Sequence, residues 1–471
     1  MNRHPLIGDS EIIGNAGERA VINPYDSSTI GSVTYADSAQ MSAAIGVAAD
    51  APKQYSLTAQ QRADILTKAA RLLQERKEEF ARLITLEAGK PITYSRVEVD
   101  RAVFTMSASA TAASTWDDDR PVDTMGAPNA AGRSVTMRYF PAGPVAAITP
   151  FNFPLNLVMH KVAPAIACGC SVVLKPAPQT PLTAFLLADT LTEAGLPPGW
   201  LNIVPCENDV AEELVTDDRI KVVSFTGSAA VGWKLKSLAP KKKVTLELGG
   251  NGAVIVDEVT DWEKLIPTLA SSAFYYAGQV CISLQRLFVR RELYGELVKR
   301  IVRYAGTVTV GDPIDAATVV GPLISEAAAS KAWTWVERAV AAGAKKHTGE
   351  RLSPRMISPT VLTDVPTDCE ISCEEAFAPV VIVEPYDDFD AMLSRVNSSR
   401  YGLQAGLFTT DQTKTRHAYE TLELGGLIIN DTNTFRIDTM PYGGVKDSGF
   451  GREGVTWAMQ EMCEVKVLVK P

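Results

Sequence analysis

Val145-Ala146-Ala147-Ile148 is the first of several short apolar runs that recur between residues 145 and 250. The later runs are Ser171-Val172-Val173-Leu174, Leu201-Asn202-Ile203-Val204, Val222-Val223-Ser224-Phe225 and Val244-Thr245-Leu246. The segments between them, such as Pro181 to Ala194, are rich in Leu and Ala and have the composition of helices. Apolar strands that alternate with helices are typical of a parallel sheet covered by helices. This region predicts a doubly wound α/β domain.

A second series of apolar runs follows Gly250 and predicts a second α/β domain. Its members are Ala253–Val256, Leu287–Val289, Val380–Val383, Gly406–Phe408 and Leu427–Ile429. Two further strand-like segments, 133–140 and 464–470, lie outside both series. Exposed strands of this kind would be edge liabilities in a monomer. Pairing with a neighbouring subunit removes that liability, so we expect a homo-oligomer.

Length and charge restrict the class of protein. A chain of 471 residues exceeds one ordinary core and predicts two or three domains. The net charge of −9 and the pI near 5.2 argue against non-specific nucleic-acid binding. The most apolar region, around Val158 to Leu174, is interrupted by His160 and Lys161 and cannot span a bilayer. We expect no nucleic-acid partner and no membrane partner.

The cysteines indicate a reducing compartment and no metal site. There are seven of them, scattered and without a Cys-x-x-Cys pair, and the chain has four histidines in all. This leaves little material for a zinc site. The pattern predicts a cytoplasmic protein.

Cys281 and Glu247 stand in distinctive local settings. Cys281 follows Gly278-Gln279-Val280, and Glu247 precedes Leu248-Gly249-Gly250. A thiol nucleophile and a carboxylate base are the minimum for covalent acyl chemistry. A free Cys is usually a small buried hydrophobe, but the neighbouring glycines indicate close backbone approach. No adjacent His or Arg lowers the thiol pKa, so activation must come from Glu247, a helix N-terminus or cofactor charge.

Three other motifs follow predicted strands. Asn152, in Pro150-Phe151-Asn152-Phe153-Pro154, is either a turn residue or an oxyanion donor that acts with the Cys281 backbone N–H. Phe225-Thr226-Gly227-Ser228 is typical either of a phosphate-binding turn or of a helix N-cap by Ser228. Lys175 is either a solvated side chain or a ribose or phosphate ligand. No Gly-x-Gly-x-x-Gly fingerprint follows a predicted strand.

Together these motifs resemble those of the NAD(P)-dependent aldehyde dehydrogenase superfamily along nearly the whole chain. The matching segments are Pro150–Pro154, Lys175-Pro176, Phe225–Ser228, Glu247–Gly250, Gly278–Cys281, Glu374–Pro379 and Pro441–Lys446. The resemblance implies a coenzyme-binding domain (1–118 and 141–249), a catalytic domain (250–448) and a small bridging β element (119–140 and 449–471). It also implies assembly as a homodimer or homotetramer.

The resemblance implies roles for the site residues. Cys281 would attack the aldehyde to give a thiohemiacetal whose oxyanion lies on Asn152. Hydride would pass to NAD or NADP, and Glu247 would activate the water that hydrolyses the resulting thioester. Lys161 and Glu464 match positions that the family links to proton relay. The implied cofactor-binding residues are Thr149, Pro150, Phe151, Lys175, Pro178, Gly227, Ser228, Gly232, Leu248, Gly249, Glu375 and Phe377.

One departure from the family pattern concerns the cofactor. Many NAD-preferring members carry Glu where this chain has Pro178. A carboxylate there would repel a 2′-phosphate, so its absence predicts that NADP is accepted. Glu207 adds a negative charge of unknown placement, and the preference stays open at this point.

The segments 276–283 and 430–436 most resemble the lactaldehyde dehydrogenase branch, near phosphonoacetaldehyde and glyceraldehyde-type dehydrogenases. Arg436, Arg101 and His160 could together hold an anionic or hydroxyl group on a short aldehyde. Alternatively, Arg101 forms a helix-surface salt bridge with Glu98 or Asp100.

Several other functions stay open. Succinate semialdehyde or phosphonoacetaldehyde is an alternative substrate. CoA-acylating oxidation is disfavoured because Glu247 supplies a hydrolytic base. A silent nucleotide-binding protein would lack the Cys or the Glu, and both are present.

Overall fold

The computed structural model describes residues 1–471 and contains two large sheets, each built mainly from parallel strands. The first sheet has five parallel strands with Val145–Ile148 at the centre. In spatial order these strands are Leu201–Ile203, Val172–Lys175, Val145–Ile148, Val222–Thr226 and Lys243–Glu247. Chain order reverses on either side of the central strand, and ligands of doubly wound sheets bind at such a switch point. Short antiparallel strands extend both edges: Gly449–Phe450 on one side, Leu6–Ile7 and Ser10–Glu11 on the other.

Helices cover both faces of the first sheet because alternate strand residues point to opposite sides. Val172 and Leu174 belong to one apolar core, whereas Val173 belongs to the other. The first face carries Ala59–Glu75, Lys77–Ala88, Ile92–Ala113, Asn156–Cys168, Leu182–Ala194 and Val455–Glu461. The opposite face carries Ser38–Gln54, Asn208–Thr216 and Ala229–Leu238. A separate small sheet comprises Asn2–Arg3, Glu18–Ile22 and Thr29–Thr34.

The second sheet has six parallel strands and one antiparallel edge strand. In spatial order they are Lys345–Lys346, Thr360–Thr363, Val380–Tyr386, Leu284–Arg290, Gly252–Val256, Gln404–Phe408 and Gly426–Ile429. One face is covered by Trp262–Phe274, Arg291–Ala305, Glu326–Ala341 and the short Glu370–Cys373, and the other by Phe389–Asn397 and Gln412–Thr421. Tyr401–Gly402 and Val445–Lys446 form a two-stranded ribbon nearby. The prediction of two doubly wound sheets is confirmed.

A separate three-stranded antiparallel sheet lies in the segments that we expected to form the bridging β element. It consists of Arg120–Pro121, Ser134–Pro141 and Cys463–Lys470. Residues 449–462, which we expected in this element, lie instead with the first domain. Gly449–Phe450 pairs with Leu246 and Glu247, and Val455–Glu461 buries apolar side chains in the first core. The bridging part of the C-terminal segment is therefore the strand from Cys463 onward.

None of the helices combines the length and the apolar character needed to cross a bilayer.

Candidate active site

A cavity of about 360 Å³ lies where the two domains meet, and Cys281, Glu247 and Asn152 all line it. Glu247 is the last residue of Lys243–Glu247, at the carboxyl edge of the first sheet. Asn152 lies in the loop after the central strand of that sheet, and Cys281 in the turn before Leu284–Arg290. The strand ends of one domain and a loop of the other therefore bring together the three residues that the sequence singled out.

The turn that carries Cys281 has an unusual backbone. Tyr276, Ala277 and Gly278 have φ angles of 50°, 53° and 67°, in the left-handed region that favours glycine. A Cβ on Gly278 would lie 2.2 Å from the Ala378 carbonyl oxygen, so no other residue fits there. Backbone strain of this kind persists where the surrounding structure fixes it, and it clusters at functional sites.

The Cys281 thiol is half-buried and contacts one side-chain polar group. Its Sγ lies 3.4 Å from the hydroxyl oxygen of Tyr442. Burial raises the pKa of the thiol to about 11, and the hydrogen bond with Tyr442 and the charge of Arg436 act in the opposite direction. Burial therefore favours the thiol form of Cys281 in the protein alone.

The Glu247 carboxylate is buried, and neither of its oxygens has a hydrogen-bond partner. Burial raises its pKa well above the usual range, and the nearby Glu453 carboxylate adds to this effect. Gly443 packs directly against it, since a Cβ on Gly443 would lie 2.7 Å from Glu247 Oε1. An acceptor of raised basicity with no protein partner is suited to take a proton from a water molecule in the cavity.

The Asn152 amide is oriented by the turn that precedes the nucleophile. Its Nδ2 donates to the backbone oxygen of Gln279 over 2.9 Å. The Gln279 side chain is itself fixed, because its Oε1 accepts from the Ile324 N–H at 2.9 Å. An amide nitrogen has two hydrogens. One is held by Gln279, and the other can serve a developing oxyanion.

The implied cofactor-binding residues other than Gly232 line two cavities that share a common wall. Pro150, Phe151, Gly227 and Ser228 border both, and the second cavity has a volume of about 500 Å³. Leu248, Gly249, Glu375 and Phe377 line the first cavity, whereas Thr149, Lys175 and Pro178 line the second. A long two-lobed groove at the switch point of a doubly wound sheet fits a dinucleotide.

Glu375 and Gly249 form a close contact inside the first cavity. A Cβ on Gly249 would lie 2.6 Å from Glu375 Oε2, and the Gly250 N–H donates to Glu375 Oε1 over 3.1 Å. Burial raises the pKa of Glu375 to about 7. The side chain retains accepting capacity towards the cavity, as a ligand for ribose hydroxyls requires. Phe377, at a φ of 48°, packs edge-on against Phe151 with ring centroids 5.9 Å apart.

Gly232 borders neither cavity. It lies in the helix Ala229–Leu238, and a Cβ there would lie 2.4 Å from Leu248 Cδ2. The glycine therefore allows the helix to approach Leu248, which lines the first cavity. Its contribution to the groove is packing rather than direct lining.

Lys161 and Glu464, the two residues expected in a proton relay, do not lie together in the structure. Glu464 lies on the bridging strand with 64% of its side chain exposed, and its nearest cation is Lys243 at 3.6 Å. The buried Lys161 ammonium instead donates to Glu453 over 2.8 Å and to the Ser224 hydroxyl over 3.0 Å. Glu464 is kept apart from Lys161 because its strand, Cys463–Lys470, pairs with Ser134–Pro141 in a separate sheet. Glu453, whose charge also acts on Glu247, lies beside Lys161 instead.

Arg101, His160 and Arg436 are brought together, and a carboxylate that the sequence did not reveal lies among them. Asp438 accepts from Arg101 Nη2 at 2.5 Å and lies 2.8 Å from His160 Nε2. Arg436 Nη2 lies 3.4 Å from Glu453 Oε2. Burial alone would raise the Asp438 pKa, but the bonds from His160 and Arg101 hold it well below its usual range.

The alternative partners of Arg101 are excluded by this arrangement. Glu98 pairs with Lys90, and Asp100 pairs with Lys77. Arg101 points instead into the cleft towards Asp438, with 28% of its side chain exposed.

Tyr442, Glu453 and Asp438 are the site residues for which sequence reasoning assigned no function. Tyr442 stood inside the motif Pro441–Lys446, and Asp438 lies two residues after Arg436. The motif around Tyr442 and the closeness of Asp438 to Arg436 in sequence are the features that could have indicated these two residues. Glu453, in Gly451-Arg452-Glu453, has no local feature that separates it from a surface glutamate.

Comparisons with known proteins agree with this geometry. The model of the aldehyde dehydrogenase family matches residues 13–468. The 3-sulfolactaldehyde dehydrogenase of Priestia aryabhattai is 41% identical over 471 residues, which cover 100% of this chain and 98% of the relative. The lactaldehyde dehydrogenase of Methanococcus maripaludis is 37% identical, with 95% of this chain and 96% of the relative covered. This agrees with the resemblance to the lactaldehyde branch.

A solved structure gives the same result at the level of the fold. Aldehyde dehydrogenase 21 from Physcomitrella patens, in complex with the reaction product succinate, superposes with a TM-score of 0.96 at 40% identity. The match covers 100% of this chain and 98% of that one. With a fold, a family model and close relatives in agreement, the chain belongs to the aldehyde dehydrogenase family of oxidoreductases.

Proposed function

We propose that the protein oxidises a short aldehyde bearing an anionic or hydroxyl group to its carboxylic acid, with NAD or NADP as the acceptor. The observation that supports this most is the single cavity bordered by the Cys281 thiol, the Asn152 amide and the unpartnered Glu247 carboxylate. A nucleophile, an oxyanion donor and a base are the groups that aldehyde oxidation through a thioester requires.

The chemistry assigns one step to each residue. Cys281 sulfur bonds to the aldehyde carbon as the carbonyl electron pair moves to oxygen, where the Asn152 amide stabilises the negative charge. A nicotinamide cofactor held by groove residues such as Lys175 and Glu375 would supply the hydride acceptor, and loss of the hydride would leave a thioester on Cys281. Glu247 then takes a proton from the water that attacks this thioester, which releases the acid and the thiol. Free CoA is not required, because Glu247 provides the base for hydrolysis.

Two features support acceptance of NADP. Pro178, at the wall of the second cavity, has no carboxylate that would repel a 2′-phosphate, and Lys175 lies in the same wall. Glu207, whose placement the sequence left open, forms an exposed salt bridge with Arg19 at 3.0 Å. Its charge is therefore partly compensated. We expect turnover with NADP as well as NAD.

The charge balance around Asp438 supports an anionic substrate. Arg101 and Arg436 place two guanidinium groups on the single carboxylate of Asp438. These guanidinium groups would attract a substrate anion that enters the cleft. The relatives act on 3-sulfolactaldehyde or carry succinate as product, and a sulfonate or carboxylate would satisfy this charge.

Arg436→Ala tests the anion site. We expect KM for 3-sulfolactaldehyde and succinate semialdehyde to rise by roughly 10- to 100-fold, because a hydrogen bond to a charged group contributes about 1.5–3 kcal/mol. KM for uncharged propionaldehyde serves as the internal control and should change less. Equal KM changes for charged and uncharged aldehydes would show that Arg436 does not bind the substrate anion.

The decisive assay follows the absorbance of the reduced cofactor without CoA. Lactaldehyde, 3-sulfolactaldehyde, succinate semialdehyde and phosphonoacetaldehyde are compared, each with NAD and with NADP. Cys281→Ala should abolish turnover while cofactor binding is retained. Activity that depends strictly on added CoA would replace this proposal with acyl transfer to a thiol.

A further inference from the structure

The phenol of Tyr442 makes its one side-chain hydrogen bond with the reactive sulfur. The distance from its oxygen to Cys281 Sγ is 3.4 Å, and the tyrosine is only 3% exposed. Either atom can donate while Cys281 is a thiol. A thiolate has no proton, so once Cys281 is ionised the phenol must be the donor.

We propose that Tyr442 is a catalytic residue whose hydroxyl donates a hydrogen bond to the Cys281 thiolate, and so stabilises and orients the ionised nucleophile. The inference rests on the proposed function, in which Cys281 attacks the aldehyde. Ionisation transfers the thiol proton to solvent water and changes no other bond. The phenol keeps its proton throughout, and its contact weakens as the sulfur charge moves to the carbonyl oxygen.

The backbone and the ring of Tyr442 are both held in place. Its N–H donates to the Glu453 carbonyl over 3.0 Å, and the Glu453 N–H donates back over 2.7 Å. The Arg436 guanidinium stacks on the ring, 3.7 Å from its centroid. The next residue, Gly443, packs on the Glu247 carboxylate. One short segment therefore fixes the phenol against the nucleophile and the backbone against the base.

Burial and the nearby carboxylates oppose ionisation of Cys281, so a neutral hydrogen-bond donor can stabilise its thiolate. Burial has the largest effect on the thiol and opposes ionisation, and the Glu375 and Glu247 carboxylates oppose it further. The charge of Arg436 favours the thiolate, but its guanidinium stacks on the Tyr442 ring and makes no hydrogen bond with the sulfur. Burial, followed by the charge of Cys281, raises the pKa of the Tyr442 phenol well above its usual range, so it remains a protonated donor.

Tyr442→Phe removes one oxygen atom and keeps the ring against Arg436. The measurement is the rate of Cys281 alkylation by iodoacetamide at mildly alkaline pH, without cofactor or substrate. Mass spectrometry of the Cys281 peptide separates this thiol from the other six. A hydrogen bond to a charged group corresponds to about one to two pKa units, and higher intrinsic nucleophilicity recovers roughly half of that loss. We therefore expect alkylation to slow by about three- to tenfold.

Tyr275→Phe is the matched control. Tyr275 packs in the same apolar cluster as Cys281 but makes no hydrogen bond with its sulfur. This variant should alkylate at the wild-type rate at every pH. A wild-type rate in Tyr442→Phe, or an equal decrease in both variants, would overturn the proposal.

Site-specific incorporation of 3-fluorotyrosine at position 442 gives a second test that preserves the hydroxyl. A more acidic phenol is a stronger donor, so the alkylation rate should shift to lower pH. An unchanged pH profile would overturn the proposal even if Tyr442→Phe failed to fold. Alkylation does not depend on turnover, so this result is distinct from a failure of Cys281→Ala to abolish oxidation.

Discussion

Glu247 and Asn152 show how burial sets chemistry at the level of single residues. The Glu247 oxygens have no partner, whereas the Asn152 amide is anchored to the Gln279 carbonyl. The Glu247 carboxylate lines the cavity, so its oxygens can accept a hydrogen bond from the water that it activates. The anchored amide, in contrast, requires no rearrangement when negative charge develops.

Glu247→Gln should leave the first burst of reduced cofactor intact and slow thioester hydrolysis by about 10²- to 10⁴-fold. In the wild type the pKa of Glu247 is raised by burial and by Glu453, so the ionised base is lost as pH falls through this raised value. Steady-state turnover should then decrease on acidification earlier than for an ordinary carboxyl group. Stopped-flow absorbance across pH measures both effects. A missing burst would show that Glu247 acts before hydride transfer.

Asn152→Ala should reduce kcat by about 10²- to 10³-fold, since loss of one oxyanion donor costs on the order of 3 kcal/mol. The affinity for cofactor, measured by fluorescence titration, should change little. The amide bond to Gln279 is also lost, so Asn152→Asp serves as the comparison: it retains size and places a negative charge at the oxyanion. If Asn152→Asp were as active as the wild type, the Asn152 amide would not be the group that stabilises the oxyanion.

At the level of elements, one buried ion pair joins three segments beneath the site. Lys90, in the turn before Ile92–Ala113, pairs with Glu98 on that helix, and both are buried. Glu98 Oε1 accepts from the Leu155 and Asn156 N–H groups at 2.9 and 3.0 Å, at the start of the helix that follows the Asn152 loop. The Lys90 ammonium also lies 3.5 Å from the Phe153 ring centroid. The pair thus anchors the Asn152 loop to the helical layer.

Glu98→Gln should lower the free energy of unfolding of the first domain by about 3–5 kcal/mol, because it leaves a buried ammonium without its counter-charge. Burial already lowers the pKa of Lys90 to about 8, which is consistent with a costly environment for the cation. Glu78→Gln is the control: it removes the surface partner of Arg96, which lies on the same helix as Glu98, and should lower the free energy of unfolding far less. Denaturant titration compares the two, and equal shifts would contradict the assigned importance of the buried pair.

At the level of the whole molecule, the bridging strand exposes an apolar edge. Val465, Val467, Leu468 and Val469 are about half exposed or more, with Val467 at 62%. The strand Cys463–Lys470 pairs on one side with Ser134–Pro141 and has no neighbour on the other. An open strand edge with apolar side chains favours pairing with a second chain.

We expect a homodimer or homotetramer, and Val467→Lys should reduce its mass in solution by placing a charge in the contact. Light scattering coupled to size exclusion measures the change. Val340→Lys, which alters a similarly apolar exposed residue on the helix Glu326–Ala341, should leave the mass unchanged. A monomeric wild type would refute the expectation.

Local patterns in the chain were enough to predict the two sheets, because strand and helix periodicities are properties of short segments. Cys281, Glu247 and Asn152 could be singled out in the same way, since each stands beside glycine or proline residues whose backbone geometry is local. The two strand-like segments outside both series pair with one another, although residues 449–462 pack on the first domain.

The partners of the site residues could not be predicted in this way, because they come from distant parts of the chain. Tyr442 reaches Cys281 across 161 positions, and Glu453 reaches Lys161 across 292. Glu464 is a charged residue of the same type, but it lies on a strand that leaves the cleft. Contacts of this kind depend on how the two domains pack against one another. Hydrophobic periodicity and motifs are local properties and do not encode that packing. It is determined by apolar cores and buried charges that involve distant parts of the chain.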